Sequence, residues 1–156
     1  MKKLIYPLVI MGILIQYSCN NSNKSTENAT DSIKKKEYKL VWSDEFNYNG
    51  LVDSSKWSYD TEGNKDGWGN NEYQYYTKGK KENAFVDGEY LHIVALKEKA
   101  DKKEYTSARL ITKGKGDWLY GKVDVRAKLP GGKGIWPAIW MLPTDWEYGG
   151  WPKSGE

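Results

Sequence analysis

Apolar and polar residues alternate in short segments along residues 39–156, and Gly, Asn and Asp separate the segments. No stretch keeps a 3.6-residue apolar period for three turns, so the pattern predicts antiparallel β-strands rather than helices. The clearest strand is Tyr120 to Leu129, where apolar residues alternate with charged ones. Because successive side chains of a strand point to opposite faces, this segment is expected to have one buried and one solvated face.

Other segments show the same period of two. Glu89 to Lys97 alternates so that both of its faces are expected to be buried, and Asp87-Gly88 before it is a hairpin turn signal. Tyr105 to Thr112 is rich in Thr and β-branched residues, and Val41 to Phe46 opens the domain. Short strands at this spacing predict an all-β sandwich that occupies residues 38–156.

Residues 1–19 have the features of a signal peptide, with two lysines near the start followed by the apolar run Leu4 to Ile15. About a dozen apolar residues are too few to span ~30 Å of hydrocarbon, so a permanent transmembrane anchor is the weaker interpretation. The small Ser18 before Cys19 resembles the cleavage site of bacterial lipoproteins, whose Cys becomes the lipidated N-terminus, although Gln16-Tyr17 departs from the strict form. The alternative is an ordinary signal peptide whose Cys is incidental.

Residues 20–37 are rich in Asn, Ser, Thr and Lys and have almost nothing to bury, so a disordered polar linker is predicted. Together with the leader, this linker predicts export across the inner membrane. The mature protein would then be attached through a lipid on Cys19 to the bacterial envelope, at the outer membrane or the cell surface. The membrane is therefore one expected partner.

Charge and composition exclude several classes of function. The chain has 24 Lys and Arg against 21 Asp and Glu, but six lysines and two acids lie before residue 37, which leaves 18 basic and 19 acidic residues afterwards. No basic field remains to hold a nucleic acid. One Cys cannot close an internal disulfide and one His cannot form a multi-histidine zinc site, so zinc-dependent hydrolysis is disfavoured. We expect no cofactor for catalysis.

Tryptophan is the most informative residue type. All eight Trp lie between Trp42 and Trp151 in a chain of mean hydropathy −0.80, so they cannot all be core. In Gly134 to Leu142, the period of two places Trp136 and Trp140 on one face and aliphatic residues on the other, which is the natural core side. Two indoles about 13 Å apart on an extended chain would form a platform for the C–H faces of sugar rings. The alternative is that these Trp are core in a doubly covered sheet.

Three further features are candidates for chemistry. Trp68 to Tyr76 is dense in groups that hydrogen-bond hydroxyls, including Asn71 and Glu72, although Asn-rich turns are common. Arg109 lies on a predicted strand, where a lone Arg is more often a solvated or paired charge than a ligand. The last residue, Glu156, follows a loop rich in Trp, Gly and Pro and reads like the start of another strand, so we expect the chain to be a fragment.

Taken together and in order, the motifs resemble glycoside hydrolase family 16, specifically its laminarinase branch. The resemblance runs from about Lys39 to Glu156 and rests on Val41–Phe46, Trp68–Glu72, Tyr105–Arg109, Tyr120-Gly121, Gly134–Leu142 and Trp151–Glu156. It implies a concanavalin-like jelly-roll β-sandwich, of which about the first half is present. It also implies that the partner is a β-glucan polysaccharide with β-1,3 or mixed β-1,3/1,4 linkages, cleaved internally with retention of configuration. We expect the protein to be a monomer.

The resemblance also assigns residues. The family signature is Glu-x-Asp-x-(x)-Glu, whose first Glu is the nucleophile and maps onto Glu156; the orienting Asp and the acid/base Glu would lie beyond it. Relatives hold a structural calcium, for which Glu45 and the backbone of Gly88 would match. Substrate-cleft positions would be Asn71, Glu72, Arg109, Trp136 and Trp140.

Retaining hydrolysis needs two carboxyl groups about 5 to 5.5 Å apart. With one of them present, the 156-residue chain is expected to be inactive and to leave apolar faces uncovered. Two alternatives remain for the whole protein. One is a non-catalytic surface glycan-binding lipoprotein, and the other is a hydrolase of the same family that acts on lichenan, agar or carrageenan.

Overall fold

Seven short strands and one 3₁₀ segment form the regular structure of residues 37–156, which are the residues that this computed structural model describes. The predicted signal peptide, Cys19 and all but the last residue of the linker lie outside them. Within the described range, no helix is long and apolar enough to cross a membrane. The elements are β1 (Asn49–Gly50), β2 (Ser58–Tyr59), the 3₁₀ segment (Glu62–Gly69), β3 (Gln74–Tyr76), β4 (Ala84–Asp87), β5 (Leu91–Ile93), β6 (Tyr105–Ser107) and β7 (Leu110–Ile111).

The turn predicted at Asp87-Gly88 is confirmed. Strands β4 and β5 pair antiparallel on either side of it, and Gly88 has φ 98°, a conformation that glycine adopts without a steric penalty. Strand β1 adds to the other side of β4 and completes a three-stranded sheet. The expectation that both faces of Glu89 to Lys97 are buried is wrong, because Ile93 is 53% exposed and Ala95 is exposed. No second layer covers this face within residues 37–156.

Two further strand pairs define the rest of the sheet structure. Strand β2 pairs antiparallel with β7, and β3 pairs parallel with β6. The predicted strand Tyr105 to Thr112 is therefore confirmed as β structure, but it is divided into two short strands. The division arises because β6 and β7 pair with different neighbours, and Ala108 and Arg109 make the connection between them.

A small core lies where these pairs meet. Its apolar members are buried side chains of Val52, Ala84, Val86 and Ala108. Two polar residues, Asn83 and Thr106, are also fully buried. Asn83 Nδ2 donates to Thr106 Oγ1 at 3.0 Å and Thr77 Oγ1 donates to Asn83 Oδ1 at 2.8 Å, so these two buried side chains have the partners that burial requires.

Residues 120–142 depart from the predicted strands. Neither Tyr120 to Leu129 nor Gly134 to Leu142 forms a strand, and Val41 to Phe46 is also unpaired. The aliphatic side chains expected in the core are exposed instead, with Val123 at 60% and Ile139 at 63%. A period of two becomes a strand only where a neighbouring backbone completes the ladder, and nothing in the described range pairs with these segments. The expectation of uncovered apolar faces is thus confirmed.

Candidate functional site

The pairing of β2 with β7 brings Asp60 and Arg109 together. Beyond the last paired residues the ladder continues, because Asp60 N donates to Arg109 O at 2.9 Å. The two side chains meet as well, with Arg109 Nε donating to Asp60 Oδ2 at 3.2 Å. Both side chains are largely shielded, at 19% and 21% exposure. Arg109 is therefore paired with Asp60, and its assignment to the substrate cleft stays a prediction.

Two indoles contact the same guanidinium. Arg109 Cζ lies 4.3 Å from the ring centroid of Trp68 and 4.7 Å from that of Trp140. A guanidinium over an aromatic face is attracted by the ring quadrupole, and shielding from water strengthens this attraction. Arg109 thus joins the 3₁₀ segment to the loop of residues 134–142, although these segments are far apart in sequence.

Asn64 holds Trp68 in place. Its Oδ1 accepts hydrogen bonds from Trp68 Nε1 at 3.1 Å and from Tyr76 N at 2.9 Å, and its Nδ2 donates to Tyr76 O at 2.9 Å. The Trp68 ring packs edge-on against Tyr76, with centroids 5.2 Å apart. Gly63 makes room for the indole, since a Cβ built at this position would overlap the Trp68 ring. One amide therefore fixes the 3₁₀ segment to β3.

Glu72 and Tyr76 form the polar side of this cluster. Tyr76 OH donates to Glu72 Oε2 at 3.1 Å, and Gln74 Nε2 donates to the same oxygen. Burial raises the pKa of the Tyr76 hydroxyl to about 12, and the negative charge of Glu72 adds to the effect. The hydroxyl consequently stays protonated as a donor at neutral pH. We call Asp60, Trp68, Glu72, Tyr76, Arg109 and Trp140 the Arg109 cluster.

The cluster contains some of the predicted site residues and not others. It includes Glu72, Arg109 and Trp140. Asn71 is exposed with φ 54°, and Trp136 is 74% exposed with no ring contact to another described residue. Glu156 is exposed and its Oε2 accepts a hydrogen bond from Trp151 Nε1 at 2.7 Å, so its partner lies outside the cluster. Trp140 is 43% exposed, so neither indole is buried among residues 37–156, and the two interpretations of this pair stay open.

Asp60, Trp68 and Tyr76 are cluster members that were not among the predicted site residues. Trp68 and Tyr76 lie in the aromatic segment that the sequence singles out, so their composition was a usable signal. No sequence signal pointed to Asp60, because it contacts Arg109 only through the pairing of two strands, and the two residues are 49 positions apart. Asp60 and Trp68 also line a shallow depression of the surface that is open to solvent.

The predicted calcium ligands are separate from this cluster. Glu45 is exposed, and Gly88 lies in the β4–β5 turn beside the side chain of Asn49. Calcium takes six to eight oxygen ligands, more than one carboxylate and one carbonyl can supply. Across residues 37–156 there is no group of three or more His, Cys, Asp or Glu side chains that could hold a metal ion. The calcium assignment stays a prediction.

Comparison with known proteins identifies what the chain is similar to. A stretch of 149 residues is 49% identical to a β-glucanase from Rhodothermus marinus and covers 94% of this chain and 49% of that protein. A stretch of 51 residues is 59% identical to a β-1,3-glucan-binding protein from Penaeus monodon and covers 33% of this chain and 14% of that protein. No protein-family model matches the chain.

Solved structures give the same result. The catalytic domain of an endo-1,3-β-glucanase (laminarinase) from Thermotoga petrophila RKU-1 matches with a TM-score of 0.67 and 44% identity, covering 76% of this chain and 48% of that one. Other matching structures are of an endo-β-1,3(4)-glucanase from family GH16. The laminarinase structures are jelly-roll β-sandwiches, so the predicted fold class is confirmed. The chain spans about half the length, or less, of the relatives it matches.

Proposed function

The chain is a relative of the laminarinases of glycoside hydrolase family 16, and from this we propose that the intact protein cleaves internal β-1,3-glucosidic bonds of laminarin-type glucans. The observation that carries the proposal is the Arg109 cluster. It gathers two partly accessible indoles, a guanidinium and two carboxylates beside a shallow depression of the surface. Aromatic faces suit the C–H faces of glucose units, while the charged groups suit their hydroxyls.

Glu156 is proposed as the nucleophile of a retaining double displacement. Its carboxylate would attack the anomeric carbon while a second carboxyl group, about 5 to 5.5 Å away, protonates the leaving oxygen and later deprotonates water. The orienting Asp and the acid/base Glu are proposed to follow Glu156 in the intact protein. The exposure of Glu156 and its hydrogen bond with Trp151 are compatible with a group that an incoming glucan could reach.

We also propose that the protein works outside the inner membrane, held by a lipid on Cys19. The support is the charged and apolar leader that ends in Ser18-Cys19 and the polar segment that follows it. A tether of this kind would keep the enzyme at the envelope while its substrate, a polymer too large to cross a membrane, is cut into transportable pieces.

The test is the release of new reducing ends from laminarin by the intact protein, with lichenan, agar and carrageenan in parallel. Release from laminarin, with a β-configured product at the first turnover, supports the proposal. Release from agar or carrageenan alone would assign the activity to another polysaccharide.

A second candidate is supported by the similarity to a β-1,3-glucan-binding protein over 51 residues. In that case the cluster would bind glucan without cleaving it. Binding of laminarin by the intact protein with no new reducing ends would favour this function and contradict the hydrolase.

A further inference from the structure

The contacts of Arg109 leave a specific set of hydrogen-bond donors unused. Its Nε donates to Asp60 Oδ2, and its guanidinium lies over the faces of Trp68 and Trp140. Within residues 37–156, its two Nη groups have no protein acceptor. A guanidinium has five N–H donors in a fixed planar fork, so fixing one of them fixes the direction of the others.

The indoles and Asp60 restrict the guanidinium in different ways. Contact with the two ring faces limits where Cζ can lie, but an aromatic face gives little preference for the direction in which each N–H group points. The hydrogen bond to Asp60 Oδ2 supplies that direction. Asp60 is itself held, because its backbone N–H donates to Arg109 O and keeps the two residues opposed across the β2–β7 pair.

We propose that Asp60 is a positioning residue for glucan binding, which holds Arg109 Nε so that both Nη groups remain directed donors for the hydroxyls of one glucose unit. The inference rests on the proposed function and deepens it. Asp60 does not need to touch the glucan, because it acts through the guanidinium. Its negative charge also partly neutralises Arg109, which favours neutral sugar hydroxyls over anionic groups as acceptors.

The first experiment compares Asp60→Asn with the wild type in the intact protein on laminarin oligosaccharides. The amide retains the size of the carboxylate but weakens the charge-assisted bond, so KM is expected to rise roughly fivefold to tenfold while kcat changes less than about twofold. Asp60→Glu, which keeps the charge, should restore most of the affinity. The dissociation constant, measured by calorimetry in a Glu156→Gln background, should follow KM.

Asp101→Asn is the matched control. Asp101 is exposed and has no hydrogen bond or ion pair with any residue between 37 and 156. Its φ is 50°, a conformation that Asn tolerates well. The same chemical change at Asp101 should leave KM and kcat unchanged. A double-mutant cycle adds a second check, because in an Arg109→Lys background Asp60→Asn should change KM by less than about twofold if Asp60 acts only through Arg109.

The outcomes separate the inference from the proposed function. An unchanged KM in Asp60→Asn would overturn the positioning role, and so would a lower kcat with an unchanged KM, which indicates only a smaller folded fraction. If Asp60→Asn raises KM as much in the Arg109→Lys background as in the wild type, the positioning role is also overturned. Wild-type protein that neither binds nor cleaves any β-glucan would instead overturn the proposed function and the inference with it.

Discussion

Asp44 Oδ2 accepts a hydrogen bond from the indole Nε1 of Trp57 at 2.8 Å, across thirteen positions of the chain. The Asp44 side chain is only 2% exposed, and it also receives a hydrogen bond from Tyr48 OH at 3.2 Å and lies 3.5 Å from Lys56 Nζ. Trp57 in turn packs edge-on against Trp42, with centroids 5.6 Å apart. The buried carboxylate of Asp44 therefore holds the packed pair of Trp57 and Trp42 in place. The high Trp content of the sequence did not indicate which Trp residues would pack together.

Asp44→Ala should destabilise the folded domain. It removes the acceptor of three partly buried donors, Trp57 Nε1, Tyr48 OH and Phe46 N. It also leaves the Lys56 ammonium without its partner. We expect a loss of about 3 kcal/mol in the free energy of unfolding, since breaking a buried charged network costs more than an exposed pair contributes. Urea unfolding followed by Trp fluorescence measures the loss.

Asp124→Ala is the control for this change. The Asp124 carboxylate also pairs with a lysine, Lys122 at 2.8 Å, but it is 78% exposed, and such pairs contribute less than about 1 kcal/mol. Equal losses in Asp44→Ala and Asp124→Ala would show that the hydrogen bonds to Trp57 and Tyr48 do not stabilise the domain.

Gly63→Ala should displace Trp68 from Arg109. The added methyl would overlap the indole, so the ring must move and lose its hydrogen bond to Asn64, its contact with Tyr76 or its place over the guanidinium. Overpacking of this kind costs about 1 to 3 kcal/mol, and laminarin affinity of the intact protein should fall with it. Calorimetric titration with laminarin oligosaccharides measures the affinity.

Gly131→Ala introduces the same methyl where nothing lies within 4 Å, and it should change neither stability nor affinity. If Gly63→Ala binds laminarin as tightly as the wild type, Trp68 has no part in the proposed site.

The all-β class and the turn at Asp87-Gly88 could be predicted because they depend on local patterns, the period of two and a turn dipeptide. The strands predicted at Tyr120 to Leu129 and Gly134 to Leu142 failed because that same period says nothing about the partner strand that a ladder requires. Glu72, Arg109 and Trp140 were named as candidates from residue type and family resemblance, and the structure brings them into one cluster. Asp60 was not, since only the cross-strand register reveals it.

Tyr76 should make stability depend on alkaline pH. Its pKa is raised from 10.0 to about 12 in the folded protein, chiefly by burial and then by the charge of Glu72. The neutral hydroxyl is therefore favoured in the folded state, so its contribution is complete below pH 10 and is lost as the pH rises from 10 towards 12. Tyr76→Phe cannot ionise, and its free energy of unfolding should fall less steeply over this range than that of the wild type.

Tyr73→Phe provides the comparison for that experiment, because Tyr73 is 80% exposed and neighbours the same loop. Its pH profile should be parallel to that of the wild type, since the substitution removes only an exposed hydroxyl. Parallel profiles for Tyr76→Phe as well would mean that Tyr76 ionises alike in the folded and unfolded states.

Glu156 offers the most direct test of the proposed chemistry in the intact protein. Glu156→Gln keeps the size of the side chain and an oxygen that accepts from Trp151 Nε1, so laminarin should still bind, while kcat should fall by roughly 1,000-fold or more because an amide is a poor nucleophile. Glu156→Ala assayed with added azide shows whether Glu156 is the nucleophile or the acid/base. If Glu156 is the nucleophile, azide attacks the anomeric carbon of an aryl β-laminaribioside in its place and yields the α-glycosyl azide. A β-glycosyl azide would show instead that Glu156 is the acid/base, because azide would then attack a covalent intermediate formed by another carboxylate.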